Sequence, residues 1–448
     1  MIQVRMFRTS IRKFSPPMVL CMGLFLMILI GLPLSAQSSQ ERRIADLESQ
    51  VSKLLGELDS IKKGQAENRA ADKDQSEQLD KLLDRMSKSS SEHTSDHWTN
   101  RFTLGGYGDM HYNFEETAGN DHSDIHRWVL QIDYEFADWI HFVSETEIEH
   151  AFIADNNGEL YIEQFYIQLD FNKYVKGRVG RVLTPLGIIN QNHEPTSYHG
   201  VERPSFASRI IPTTWVTDGI GFLGQITPWL TYETYVGNSI DGSLIDDNGI
   251  RSARMKERPS LHEVAWMGRI DVFPLVAAQT SGDQTLRLGF STYFGGLDNG
   301  NNGNNPGVDG DIRIFCADFD YKVGKFAFRG ELAYEELDHR QPPSSGVAKG
   351  IFGWYLEGAY FWFPEAWKTG RLAMSDASIF LRFDDFDTQY EMPKNLNANH
   401  ARNRQEWTFG INFWLTPQLV FKTDVQIPSN GIEADQNTKF NIGFGFHF

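Results

Sequence analysis

The 448-residue chain is 40% hydrophobic and 13% aromatic, contains 2 cysteines and has a formal net charge of −17. The aromatic content excludes a mostly disordered chain, the cysteine count excludes a disulfide scaffold, and the acidity argues against nucleic acid as a partner, since that needs a basic face. A mean hydropathy of −0.40 argues against a bundle of transmembrane helices but allows a transmembrane β-barrel, in which only alternate strand residues are apolar.

Residues 1–36 have the pattern of a secretory signal peptide. Four basic residues precede an apolar run from Met18 to Leu32, which is about 15 residues long and short for a bilayer span. Leu34-Ser35-Ala36 then resembles a cleavage site for signal peptidase. A membrane anchor is the alternative, and it is disfavoured because the run is short and a cleavage motif follows it.

Residues 37–90 are predicted to form a coiled-coil oligomerisation segment, and residues 91–97 a linker to the next domain. Apolar residues recur with a spacing of three and four, which is the seam of a coiled coil rather than a face that packs on a globular domain. The seam comprises Ile44, Leu47, Val51, Leu54, Leu58 and Ile61 and, after a polar stretch, Leu79, Leu82 and Met86.

From residue 98 to residue 448 the apolar period changes to two, which predicts a domain of β-strands. In the last strand, Phe440, Ile442, Phe444, Phe446 and Phe448 alternate with small or polar residues. A soluble β-sandwich also alternates, but these strands have the length of tilted membrane strands and carry aromatic residues at their ends. The prediction is an all-β transmembrane barrel of about 16 antiparallel strands, running from Phe102–Phe114 to Thr438–Phe448.

The connections between the predicted strands alternate between short and long, as in outer-membrane barrels. Tight turns are predicted at 137–138, 172–173, 227–228 and 416–417. Long loops are predicted near 115–124, 184–215, 239–262, 295–309, 337–350 and 386–404. An even number of strands places both ends of the barrel on the periplasmic side, and a barrel of this size has a lumen wide enough for an aqueous channel.

The loop at 184–215 is exceptional because it is long and yet rich in apolar residues, including Ile188, Phe206 and Trp215. We expect it to fold inward and narrow the pore, with a lid on the outside of the barrel as the alternative. Its His193, Glu194 and His199 do not have the spacing of a zinc protease motif, so a hydrogen-bonded loop network is favoured over a metal site.

Two acidic segments, Asp155–Glu159 and Asp298–Asp311, could supply oxygen ligands to calcium, although surface turns are the favoured interpretation. No cofactor or metal site is predicted. No nucleophile elbow of the G-x-S-x-G type is present, so no catalytic residues are predicted and an enzyme is not expected.

Cationic side chains that alternate away from the lipid are the candidates for lining the pore. With two cations from the long loop they could form a path for anions, because rings of charge set ion selectivity. Many carboxylates also face inward, so cross-strand pairing remains the alternative for each residue. The candidates are Lys176, Arg178, Arg203, Arg209, Arg269, Arg287, Arg329, Arg382 and Lys422.

Several phrases in residues 98–448 resemble the phosphate-selective porin O/P family. They are Gly200–Arg203, Ile211–Trp215, Ile379–Thr388, Trp407–Phe413, Leu415–Lys422 and the terminal Phe448. The resemblance implies a 16-stranded barrel that is usually a homotrimer, with a constricting third loop. It further implies that Phe448 is recognised by the outer-membrane assembly machinery, and that phosphate-selective members use a ladder of arginines and lysines.

Together these features predict an integral porin of the bacterial outer membrane, surrounded by lipid, with its coiled coil in the periplasm. Small hydrophilic solutes or ions would diffuse passively through the water-filled lumen, with phosphate and other anions among the candidates. The alternative is a structural or adhesive protein that is tethered through its coiled coil.

Overall fold

A computed structural model describes residues 98–117, 119–150, 158–279, 284–297, 310–339, 346–432 and 437–448. The predicted signal peptide, coiled coil and linker lie outside these ranges. Among the described residues, none of the helices combines the length and the apolar character needed to cross a bilayer.

Sixteen antiparallel strands pair in chain order and close into a barrel through β1 and β16, which confirms the predicted strand count. The strands are β1 (Phe102–Glu115), β2 (His122–Ala137), β3 (Ile140–Glu149), β4 (Glu159–Asn172), β5 (Val175–Leu183), β6 (Val216–Thr227), β7 (Leu230–Asn238), β8 (Val264–Val272), β9 (Gln284–Gly296), β10 (Gly310–Val323), β11 (Phe326–His339), β12 (Gly350–Phe361), β13 (Asp376–Glu391), β14 (Asn403–Thr416), β15 (Leu419–Asn430) and β16 (Lys439–His447).

As far as the described residues extend, short helices occur in the connections and just before β1. The α-helices are α1 (Ile188–Gln191), α2 (Phe206–Arg209) and α3 (Pro274–Ala277), and the 3-10 helices span Trp98–Arg101, Gly242–Leu244, Arg251–Ala253, Glu365–Trp367, Gly370–Leu372 and His400–Arg402.

The two ends of the barrel differ in the length of their connections. At the end that we call the turn end, two-residue turns join β2 to β3, β4 to β5, β6 to β7, β10 to β11 and β14 to β15, and the four predicted turns are among them. The connections 273–283 and 362–375 at this end are longer than the short turns that the predicted pattern requires there. Pro274 starts α3 in the first of these, because its fixed φ suits the first turn of a helix. The opposite end, the loop end, carries the segment 184–215.

The predicted alternation is seen on the outer wall, where Leu104, Trp128, Ile220 and Leu332 are exposed and form an apolar surface of the kind that faces lipid. The alternation breaks at Tyr161. A strict period of two would place Tyr161 on the outer face with the exposed Phe165, but it points inward and donates from Oη to Glu163 Oε1 at 3.1 Å.

A β-bulge explains why the side chain of Tyr161 points inward. Glu145 pairs with Gln164 while the next residue of β3, Thr146, pairs with Ile162, which leaves Glu163 as the extra residue. An extra residue in one strand reverses the alternation beyond it. The bulge therefore turns both Tyr161 and Glu163 into the lumen.

Candidate pore constriction

The segment 184–215 leaves β5 at the loop end and folds into the lumen, as predicted. Asn190 joins its two ends: the side-chain amide nitrogen donates to Thr184 O at 2.8 Å and to Trp215 O at 3.0 Å, and its oxygen accepts from Trp215 N at 2.7 Å. Because these backbone groups are buried and need partners, the asparagine stabilises the base of the inserted segment, which we call the constriction loop.

Apolar side chains of the constriction loop pack inside the barrel rather than at its outer surface. Ile188, Phe206, Ile210 and Trp215 are at most 2% exposed and belong to a cluster that includes residues of the segment 239–263 and of the inner wall. The wall of this cluster is itself apolar, with residues such as Ile312 and Ile314. Burial of this area holds the loop inside the barrel, since apolar burial is the main favourable term in packing.

Three cations of the wall hold the carbonyl groups of the loop. Lys422 Nζ donates to Tyr198 O at 2.7 Å and to Gly200 O at 2.8 Å. Arg329 donates to Ser197 O at 2.8 Å and Arg127 to His193 O at 3.1 Å. These charged side chains provide hydrogen bonds to backbone carbonyl groups that are removed from water inside the barrel. Their main role is therefore structural.

Carboxylates on β12 to β15 hold the donors of the same loop. Asp424 Oδ2 accepts from Val201 N at 2.6 Å, and Asp384 Oδ1 accepts from Phe206 N at 3.0 Å. His199 Nδ1 lies 2.7 Å from Glu357 Oε1. The constriction loop is thus attached by charged side chains to strands on the side of the barrel opposite its origin.

The remaining predicted cations of the strands form ion pairs across the wall. Lys176 lies 2.6 Å from Asp170 and Arg178 lies 3.5 Å from Glu233. Arg269 and Arg287 share two carboxylates: Asp271 lies 2.7 and 2.6 Å from them, and Asp318 lies 2.8 Å from each. Arg329 pairs with Asp320 at 2.9 Å, and Arg382 pairs with Asp384 at 3.0 Å.

Arg203 and Arg209, the two predicted cations of the constriction loop, differ from those on the strands. Arg203 Nε and Nη2 are buried and have no hydrogen-bond partner among the described residues. Three further arginines, which sequence reasoning missed, also make no ion pair with a carboxylate within the described ranges. This group, the loop-end arginines, consists of Arg203, Arg209, Arg251, Arg254 and Arg404.

The loop-end arginines bring positive charges close to one another. Burial, and after it the charge of Arg251, lowers the pKa of Arg254 to about 10. Burial together with Arg402 lowers the pKa of Arg209. Such shifts mean that the charged forms are compensated only in part, although Arg254 donates to Pro212 O at 3.2 Å. Incomplete compensation is the condition under which an anion would be attracted. The sequence contained little indication of this group of arginines, because the five residues come from three separate segments of the chain.

The constriction loop separates cavities at the two ends of the lumen. At the loop end, a cavity of about 470 Å³ is lined by Ser205, Arg209, Arg402, Arg404 and other residues. At the turn end, one cavity of about 560 Å³ contains Lys176 and Arg178. Another, of about 260 Å³, contains Ser197, His199 and Arg329. Opposite halves of the loop therefore face opposite ends of the barrel.

The carboxylates in the loop-end cavity are partly neutralised. Glu115 lies 3.1 Å from Lys439, and Glu406 lies 3.9 Å from Arg382. Arg402 is itself paired with Asp247 at 2.6 Å. The charges of Arg209 and Arg404 remain in excess, so this cavity is locally positive although the whole chain is acidic.

The histidines of the constriction loop contact different strands. His193 Nε2 lies 3.4 Å from Glu163 on β4, whereas His199 contacts Glu357 on β12, which is the geometry of a hydrogen-bonded network. Burial opposes a charged imidazole, but Glu163 outweighs it and raises the pKa of His193. Of the two acidic segments that were interpreted as surface turns rather than calcium sites, only residues 158–159 and 310–311 lie within the described ranges.

We expect Gly187→Ala to loosen the start of the constriction loop. Gly187 has φ +70°, and an added Cβ would overlap with Glu331 Oε1. Glu331 accepts from Ile188 N at 3.2 Å, so moving it breaks that bond. Together with the backbone cost of about 1–3 kcal/mol, this should lower the midpoint of thermal unfolding in detergent.

Gly324→Ala is the matched control for this prediction. Gly324 also has a positive φ, +55°, but an added Cβ would meet no atom within 4 Å. Equal losses of stability in the two variants would show that the contact with Glu331 is unimportant.

Comparison by sequence finds a matching protein family and a similar protein. Residues 103–427 match the family described as phosphate-selective porin O and P. An uncharacterized protein of Aquifex aeolicus is 28% identical over 339 residues, which cover 72% of this chain and 74% of that protein.

Solved outer-membrane proteins are similar at lower identity. An anion-selective porin from Comamonas acidovorans is 11% identical with a TM-score of 0.48, covering 78% of this chain and 99% of that chain. The outer membrane channel DcaP of Acinetobacter baumannii is 13% identical with a TM-score of 0.47, and the match covers 78% of this chain and 97% of that chain. The family match spans most of the barrel, and the chain belongs to the phosphate-selective porin O and P family.

Proposed function

We propose that this protein is a porin through which small hydrophilic anions diffuse passively across the bacterial outer membrane. Family membership supports an outer-membrane channel. The observation that supports an anion preference is that Arg209 and Arg404 line the cavity at the loop end. Within the described residues, neither of them makes an ion pair with a carboxylate. In barrels of this type the long loops face the outside, so solutes would meet these charges first.

In this proposal the cations of the strands do not form the ladder of arginines and lysines that the family resemblance implied. Lys176, Arg178, Arg269 and Arg287 are neutralised by carboxylates, and Lys422 holds the constriction loop. The loop-end arginines would raise the local concentration of anions, and the constriction loop would set the size limit.

Planar-bilayer recording tests the proposal. Purified protein should give a stable ionic current, and the zero-current potential in a KCl gradient should have the sign of chloride preference. Absence of current would favour the structural or adhesive alternative. A potential of cation sign would refute the anion preference, and a chloride current that inorganic phosphate reduces would place phosphate among the solutes.

We also propose that residues 37–90 assemble the barrels into a homotrimer from the periplasmic side. Deleting residues 41–88 removes the apolar seam and should lower the mass of the oligomer in detergent, while the barrel keeps its strand content. Native mass spectrometry and circular dichroism measure the two properties. An oligomer of unchanged mass would assign the association to the barrel itself.

A further inference from the structure

Three histidines that do not belong to the constriction loop lie together at the loop end of β1, β2 and β3. His111 belongs to β1, His126 to β2, and His150 follows the last residue of β3. The rings of His111 and His126 are stacked with centroids 4.6 Å apart, and those of His126 and His150 are 5.5 Å apart. The proposed diffusion of anions uses none of them.

Two irregularities of the backbone bring these side chains together. In the pairing of β1 with β2, Asp109 lies opposite Arg127 but Met110 lies opposite Ile125, so that His126 is the extra residue of a β-bulge. His150 has a φ of +58°, which is uncommon for a residue with a side chain. Bulges and left-handed residues cost stability, and both occur preferentially where a side chain must be aimed at a functional site.

The carboxylate of Asp124 lies between two of the rings. Its Oδ2 is 3.1 Å from His126 Nδ1 and 2.7 Å from His150 Nδ1. One ligand atom from each of Asp124, His126 and His150 lies within 4.8 Å of the others. Two imidazole nitrogens and one carboxylate oxygen are a donor set that zinc and neighbouring transition metals bind.

His111 has a supporting position rather than that of a ligand. Its Nε2 lies 3.1 Å from Asp109 Oδ2 and its Nδ1 lies 3.0 Å from Glu202 Oε1. His111 and Glu202 form an adjoining donor group with His126, but that group is less exposed than the one that contains His150. The ring stacks on His126 and limits its rotation. Fixing a ligand through its neighbours in this way is typical of metal sites.

We propose that Asp124, His126 and His150 bind one divalent transition-metal ion, of the class of Zn²⁺, at the loop-end rim of the barrel. Solvent reaches the site through His150, whose side chain is 45% exposed. Three protein ligands leave at least one coordination position for water or an exogenous ligand. The hard ions Ca²⁺ and Mg²⁺ prefer oxygen ligands and should compete poorly.

The test is zinc binding to the full mature chain in detergent, purified without a polyhistidine tag. Isothermal titration calorimetry should show one Zn²⁺ per chain, with no comparable heat from Mg²⁺. His150→Gln and Asp124→Asn should each weaken binding by about tenfold or more, the range seen even for supporting residues of metal sites. Co²⁺ should give the visible absorption of a low-coordinate complex in the unmodified protein and lose it in both variants.

His122→Gln is the matched control. His122 lies on β2, as His126 does, and at the same end of the barrel, but its ring nitrogen hydrogen-bonds to Asn120 O. It should bind zinc as the unmodified protein does. Circular dichroism of all variants checks that the barrel has formed, which an exposed substitution at His150 should not prevent.

The proposal is overturned if the folded protein shows no saturable zinc binding, if folded His150→Gln binds zinc unchanged, or if His122→Gln loses binding equally. None of these measurements depends on ionic current. A failed metal site therefore leaves the channel proposal intact, and a silent bilayer leaves the metal site intact.

Discussion

Replacing Arg382 with methionine is expected to destabilise the constriction loop more than any other single substitution of a predicted pore residue. The guanidinium is fully buried. It lies 3.0 Å from Asp384, 3.7 Å from Glu357 and 3.9 Å from Glu406, and it also donates to the loop carbonyl of Glu202 at 3.5 Å.

Removing this cation leaves several carboxylates close together without their shared partner. Breaking a buried ion pair by deleting one member costs about 3–5 kcal/mol. Since Asp384 and Glu357 also hold Phe206 and His199 of the constriction loop, we expect the loop to lose its attachment to β12 and β13. The variant should unfold at a lower temperature in detergent and give a larger, noisier single-channel current.

Arg313→Met is the control for this experiment. Arg313 pairs with Glu336 at 3.1 Å, but the two side chains are 46% and 47% exposed, and exposed pairs contribute only about 0–1 kcal/mol. Its unfolding temperature and current should stay close to those of the unmodified protein. If Arg382→Met behaved like this control, the ion cluster would not hold the loop.

Reversing the charge of the loop-end cavity is expected to reverse its ion preference. In the double variant Arg209→Glu, Arg404→Glu, two cations become two anions in the same cavity. Neither cation has a carboxylate partner in the part of the chain that the structure describes. Because rings of charge set selectivity, the zero-current potential in a KCl gradient should change from the sign of chloride preference to that of potassium preference. The change should be largest at low salt, since screening acts over about 10 Å at 0.1 M and about 3 Å at 1 M.

A control with the same change in net charge is Lys325→Glu, Arg371→Glu. Both residues are exposed in connections at the turn end, away from the loop-end cavity. This variant should keep the sign of the original potential. Equal shifts in the two double variants would mean that overall charge, rather than the loop-end arginines, governs selectivity.

Much of the barrel could be predicted because a β-strand that separates two environments shows alternating apolar and polar residues. Side chains of a strand point to opposite faces with a period of two, so Phe440 to Phe448 and their equivalents identified the lipid face and led to the count of strands. The inward fold of residues 184–215 was also predictable, since a loop with Ile188, Phe206 and Trp215 must bury them.

The electrostatic roles of individual residues were not predictable in the same way. Arg269 and Arg287 became paired residues because the register of β8, β9 and β10 places Asp271 and Asp318 beside them. Register depends on turns and bulges, and a single extra residue, Glu163, was enough to move Tyr161 to the other face. No local pattern announces such a residue.

The sequence by itself determined the class of the protein, the number of strands, the face that meets lipid and the segment that enters the lumen. These depend on composition and local periodicity, which every strand repeats. Only the tertiary structure decided which cations have no carboxylate partner among the described residues and which histidines lie together. Those outcomes depend on contacts between residues far apart in the chain: Arg209 and Arg404 share one cavity, and a bulge and a left-handed residue bring His126 and His150 to the same carboxylate.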